Sequence, residues 1–159
     1  PDVMFAQIYR PLKNKWFDRF FLKLRSRFGS VCIAKQDTLR AILQMKRSGK
    51  PSITGFMSDQ TPSPKNIHHW ARFLSQDSPV LTGFEKIARK TDFAVLYFVK
   101  RGYYKTTIRE IALRPNELPE FEITDRYTAI MEKTILRNPW AWLWTHKRWK
   151  YKHEDFPGT

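Results

Sequence analysis

The residue pair best placed for chemistry is Asp59-Gln60. It follows directly on Ile53-Thr54-Gly55-Phe56-Met57, a short apolar run that predicts a buried strand. Open α/β sheets place their ligand crevices at the carboxyl ends of strands. A carboxylate there could orient a base or hold an arginine, and the glutamine could hydrogen-bond an acyl or sugar oxygen. The same pair before Pro62 and Pro64 also suits a plain turn. The four histidines do less. His68 and His69 are adjacent, so they diverge on a helix and face opposite ways on a strand. Neither has a cysteine or carboxylate at ligand spacing, so a solvated pair is expected and no metal site is read. Cys32, in Val31-Cys32-Ile33-Ala34, is expected to be a small buried side chain rather than a nucleophile. No Gly-x-Ser-x-Gly elbow, phosphate loop or dinucleotide glycine pattern occurs.

Two basic patterns stand out. Lys15, Arg19, Lys23 and Arg27 recur on one face of a predicted helix, with Trp16 beside them. This suits a membrane surface or an acidic carrier, and equally a solvated face. The tail from Trp140 to Lys150 interleaves indoles with cations, which fits core packing, a headgroup boundary or base stacking. No RNP-like stretch, zinc-finger spacing or helix-turn-helix pattern accompanies it, so nucleic acid is not the expected partner.

The elements that must position these residues read as β-α-β-α-β-(β)-α-β-β-α. Strands are expected at Val3 to Ile8, Val31 to Ala34, Ile53 to Met57 and Trp70 to Leu74. Phe93 to Val99 and Tyr103 to Leu113 should pair as a hairpin through Gly102. Helices are expected from Asn14 to Phe28, from a cap at Asp37 to Ser48-Gly49, from Thr82-Gly83 to Thr91, and from a cap at Asp125 to Asn138-Pro139. Mostly alternating elements predict an α/β fold, an open parallel or mixed sheet with helices on its faces. The 159 residues suffice for one domain spanning 1–159, 42% hydrophobic and 15% aromatic, far from a disordered composition.

Charge is the outlying property. Lys and Arg number 29 against 15 Asp and Glu, a net +14. Such a surplus attracts nucleic acid, an anionic membrane or an acidic protein, and does not choose among them. No apolar run approaches the ~18 residues of a membrane span. The abrupt start at Pro1-Asp2-Val3 reads as the interior of a longer protein.

In order, several marks resemble one family, the lipid A biosynthesis (late, secondary) acyltransferases within the wider glycerolipid-type acyltransferase fold. They are Tyr9-Arg10-Pro11 with Asn14, Arg25-Ser26-Arg27-Phe28-Gly29, Asp59-Gln60 after a strand, and Thr82-Gly83 opening a helix. The last is Asn138-Pro139 leading into Trp142-Leu143-Trp144-Thr145-His146-Lys147-Arg148-Trp149-Lys150. The resemblance implies transfer of a fatty acyl chain, from acyl carrier protein or coenzyme A, to a hydroxyl of a lipid A precursor or similar anionic glycolipid. It implies a histidine general base in a His-x4-Asp/Glu motif, with no cofactor beyond the thioester donor. His68, His69, His146 and His153 are followed five residues later by Phe73, Leu74, Tyr151 and Gly158, so none fits that motif. The base is therefore expected upstream of Pro1, and this C-terminal portion is expected to be inactive alone.

By the same resemblance, Arg10 and Arg25 would pair with acceptor phosphates or fix the catalytic acid, a task that suits a planar guanidinium fork. Asp59 and Gln60 would line the pocket, and Thr82-Gly83 would offer helix N–H groups to an oxyanion or phosphate. Close packing would also account for Gly83. Lys15, Arg19, Lys23 and Arg27 would face the carrier protein or the membrane. The implied location is the cytoplasmic face of the bacterial inner membrane, peripheral for this portion. A nucleic-acid-binding module and a non-catalytic lipid- or membrane-binding relative are the competing readings.

Overall fold

Residues Met4–Tyr9 form β1, which lies between β2 (Val31–Ala34) and β3 (Ser52–Gly55) in a three-stranded sheet of order β2-β1-β3. Both pairings are parallel, with Ala6 opposite Val31 on one side and Thr54 on the other. The structure is a computed structural model that describes residues 2–101 and 105–157, and its contacts divide the chain into two units, Pro1–Met57 and Ser58–Thr159.

In the first unit, α1 (Lys15–Ser26) begins where expected. The Asn14 side-chain oxygen accepts from the N–H groups of Trp16 and Phe17 at 3.0 and 3.2 Å, satisfying donors that a helix start leaves free. Gly29, at φ +83°, ends the segment in the left-handed region that glycine enters without steric cost. Helix α2 (Thr38–Arg47) buries Thr38, Ile42 and Met45, and Ala6 and Ile33 are buried in the same unit. Asp37 precedes α2 but its side chain makes no capping bond, because a single 3-10 turn over 35–37 leads into the helix. The run from Ile53 to Met57 is not a buried strand either. β3 closes at Gly55, and Ile53, Phe56 and Met57 are exposed. Ile53 lies beside Phe5 of the central strand, which is exposed as well, so among the described residues this face of the sheet is open.

The second unit is built from hairpins and helices. β4 (Trp70–Phe73) pairs antiparallel with β5 (Gln76–Pro79), a strand absent from the sequence reading. The two-residue turn puts Leu74 and Ser75 at φ 49° and 63°. Such turns normally carry Asn or Gly, so this one left no sequence signal. The Glu132 carboxylate holds it by accepting from Leu74 N–H at 2.7 Å. Helix α3 (Gly83–Thr91) matches expectation, as does the antiparallel pair β6 (Val95–Arg101) and β7 (Lys105–Ala112). The hairpin turn expected at Gly102 and the start of the expected strand at Tyr103 lie outside the described residues. Helix α4 (Glu122–Arg137) carries the inward residues Met131 and Ile135. Phe84, Ile111, Ala112 and Ile123 form one core cluster, and Phe73 with Met131 and Ile135 forms another, flanked by Trp142 and Trp149. The fold is mixed α/β, as expected, with its strands divided into one parallel and two antiparallel sheets.

Asp125 does not cap α4. The helix starts three residues earlier, with Phe121 in the left-handed N-cap position at φ 69°. Its free donors are met from α3: the buried Glu85 carboxylate accepts from Phe121 N–H at 2.7 Å and from Thr124 N–H at 2.9 Å, and takes the Thr124 hydroxyl as well. Glu85 thus does from another helix what a local side chain does elsewhere.

Candidate functional site

In the first unit, Arg10 lies exposed just past the carboxyl end of β1. Arg25, near the end of α1, sets its guanidinium over the ring of Tyr9 at 5.9 Å and over Phe21 at 5.6 Å. Gln7 fixes that end of the helix by donating to the Arg25 carbonyl and to Ser30 Oγ. Tyr9 thereby brings Arg25 to the strand end that Arg10 leaves, and both guanidinium groups remain open to solvent. Lys15, Arg19, Lys23 and Arg27 are likewise exposed along α1.

In the second unit, Asp59 is half-buried and Gln60 exposed, in a loop without regular structure. Thr61 ties this loop to the tail. Its hydroxyl donates to the Arg148 carbonyl at 2.7 Å, and its N–H donates to His146 Nε2 at 3.1 Å. His146 must therefore carry its proton on Nδ1. These bonds join positions more than eighty residues apart in sequence, which explains why the Asp59 loop and the tail looked unrelated.

Arg148 is the unusual residue of this cluster. It is 1% exposed, and none of its side-chain nitrogens has a hydrogen-bond partner. Its guanidinium sits 5.4 Å over the Phe73 ring. Burial pushes its pKa down, while the charges of Tyr127 and Asp59 act in the opposite sense. The Tyr127 hydroxyl is pushed well above its ordinary value, first by burial, then by the negative charge of Asp59, with Arg148 opposing. Asp59, Tyr127 and Arg148 therefore feel one another inside a single unit. Sequence reasoning named Asp59 but not the other two. The signal was present in the tail motif, where a single arginine stands between two aromatic packing positions.

A groove adjoins the cluster. It is half open to solvent, with a volume of about 940 Å³, and is lined by Tyr97, Met131, Ile135, Trp140 and Trp142 together with Arg137 and Asn138. Two ring contacts connect it to the charged groups: Tyr97 to Tyr127 at 5.6 Å, and Trp142 to Phe73 at 6.0 Å. The tail divides its labour accordingly. Trp149 packs on Phe73 and donates from Nε1 to Ser78 Oγ at 2.8 Å, whereas Trp140 and Trp144 are exposed.

The remaining sequence candidates have simpler settings. Thr82 is buried ahead of α3, and its hydroxyl does not cap the helix. A Cβ built on Gly83 would meet open space, so close packing does not explain that glycine. His69, expected to be solvated, instead places Nε2 2.7 Å from Asp125 Oδ1 and stacks on Phe121 with ring centroids 4.3 Å apart. Its carboxylate partner lies fifty-six positions away, beyond the reach of local spacing. Among the described residues no group of His, Cys, Asp and Glu is arranged to hold a metal ion.

These features define a mixed α/β protein with an aromatic-lined groove near a buried cation and a half-buried carboxylate. Comparison with known families places it further: a family model described as bacterial lipid A biosynthesis acyltransferase matches residues 2–151, and the chain belongs to that family. The match takes in the Asp59 loop, the starts of α1 and α3, and the tail with His146 and Arg148. No curated protein matches the chain.

Proposed function

We propose that this chain forms the substrate-handling part of an enzyme that moves a fatty acyl chain to a hydroxyl of a lipid A precursor or similar anionic glycolipid. The donor is an acyl carrier protein thioester or acyl coenzyme A, and no other cofactor is required. The base is a histidine in a His-x4-Asp/Glu motif encoded before Pro1. It deprotonates the acceptor hydroxyl, which attacks the thioester carbonyl and expels the thiolate. Family membership carries this reading. The groove supports it, with an aromatic and aliphatic wall beside Arg137 and Asn138 and a volume within the ~300–1,000 Å³ typical of small-molecule sites.

In this reading the acyl chain lies along Tyr97, Met131, Ile135 and Trp142. Asp59 and Gln60 stand at the polar end of the site. Thr82-Gly83 present the start of α3 to an oxyanion or phosphate, with open space above Gly83. Arg10 and Arg25 pair with acceptor phosphates, since both forks are free of carboxylates among the described residues and face solvent.

The decisive experiment is acyl transfer by the protein extended upstream to include that motif, with radiolabelled donor and a lipid A precursor as acceptor. Transfer that falls at least about a hundredfold in Arg10→Ala and Asp59→Ala is expected. Failure to transfer from either donor class would remove the enzymatic reading.

A further inference from the structure

Helix α1 is turned the wrong way round for a helix that packs on a sheet. An amphipathic helix normally presents its apolar stripe to the core and its charges to water. At 100° per residue, Trp16, Phe17, Phe20, Phe21 and Leu24 share one broad face, and Phe28 continues it beyond the helix. All six are exposed, Trp16 at 66% and Phe28 at 85%. No residue of α1 is buried, and its half-buried positions are Asp18 and Leu22, on the opposite side.

The exposed rings form one patch. Trp16 stacks on Phe20 at 5.7 Å, Phe20 meets Phe21 edge-on at 5.5 Å, and Phe17 lies 6.5 Å from Phe21. Contiguous apolar surface of this kind marks an interaction site rather than scattered exposure. Cations border it on both sides. Lys23 and Arg27 flank Trp16, and Arg25 lies over Phe21 on the far side. The helix's one acidic residue, Asp18, is turned away and accepts from Leu12 N–H at 2.8 Å.

We propose that α1 is an interfacial membrane helix, lying flat on an anionic bilayer with the Trp16–Phe20–Phe21 patch sunk among the acyl chains. Arg19, Lys23 and Arg27, along its border, extend to the phosphates around it. Charge complementarity selects this occupant. A second copy would bring the same cations face to face. A soluble acidic protein would meet the cations but leave the aromatics in water. A bilayer satisfies both at once, because its headgroups are anionic and its interior takes phenyl and indole rings. No helix among the described residues is long and apolar enough to cross a membrane, so the mode is insertion at the surface. The proposal does not rest on the acyl-transfer reading.

The test is flotation of the whole chain with vesicles of phosphatidylglycerol and phosphatidylethanolamine, beside vesicles of phosphatidylcholine alone. The chain should float with the anionic vesicles. The paired substitution Phe17→Ser, Phe20→Ser should lower partitioning by roughly tenfold or more. Both positions are exposed, and circular dichroism checks that the fold persists. Independently, lipid brominated on its acyl chains should quench a fluorescence component that disappears in Trp16→Phe. Binding that ignores the paired substitution, or Trp16 left unquenched in bound protein, would overturn the proposal. So would self-association, or capture of a soluble acidic carrier protein, that the same substitutions abolish.

Discussion

Arg148 is enclosed without hydrogen bonds, and the magnitudes say what that costs. An uncompensated buried charge loses several kcal/mol of solvation after relaxation. The Phe73 ring returns about 2 kcal/mol, and Asp59 acts on Arg148 without a direct contact. Arg148→Met keeps the length and removes the charge, so it should stabilise the fold by about 1–3 kcal/mol in urea unfolding. The same variant should lose acyl transfer in the extended protein, the trade expected where an unstable arrangement is kept for function. A loss of stability would mean that the guanidinium is already well satisfied. Tyr127 yields a second expectation at this scale. Its hydroxyl titrates above the ordinary 10.0, so the folded state holds this proton after the unfolded chain has released it. Stability from this group is intact below about pH 10 and declines as pH rises towards the folded value, by about 1.4 kcal/mol per pH unit. Tyr127→Phe cannot ionise. Unfolding measured at successive pH values above 10 should show a shallower decline for it than for the parent.

Helix α4 shows at the scale of elements what could be read from sequence and what could not. Its apolar spacing, with Met131 and Ile135 inward, announced a helix, and Asn138-Pro139 announced its end. Its start was misplaced because Asp125 is a plausible cap by type, whereas the groups that serve are the buried oxygens of Glu85 on α3. A cap supplied from another element leaves no local pattern. The same reason hid the β4–β5 turn, held by Glu132, and the Thr61 link to the tail. Asn14 and α1 were legible because the cap and its donors lie within three residues. The candidate site residues follow this division: Asp59 drew notice from its place after a predicted strand, but Arg148 and Tyr127 become its neighbours only through folding. Glu85→Ala should therefore cost on the order of 3 kcal/mol, since it strands helix-start donors in a buried place. Glu85→Gln should cost less, retaining one acceptor oxygen but turning N–H groups towards N–H groups. Denaturant midpoints of the two variants, with equal m-values, would check the order.

At the scale of the whole molecule, the +14 surplus is spread over both units, from α1 to Lys147, Lys150 and Lys152 in the tail. No single ion pair accounts for it, and most of these cations face water, where individual pairs contribute little to stability. Their combined field acts instead on encounter. An acidic thioester donor approaching such a surface is drawn in over about a Debye length, ~10 Å at 0.1 M salt, and that reach shrinks as salt rises. For the donor proposed above, KM should increase by roughly tenfold between low and physiological ionic strength, whereas kcat should hold steady because chemistry begins after docking. Initial rates of the extended protein across a sodium chloride series would separate the two parameters. A flat KM would mean that the donor finds its site by local contacts, leaving the basic surface to the bilayer alone.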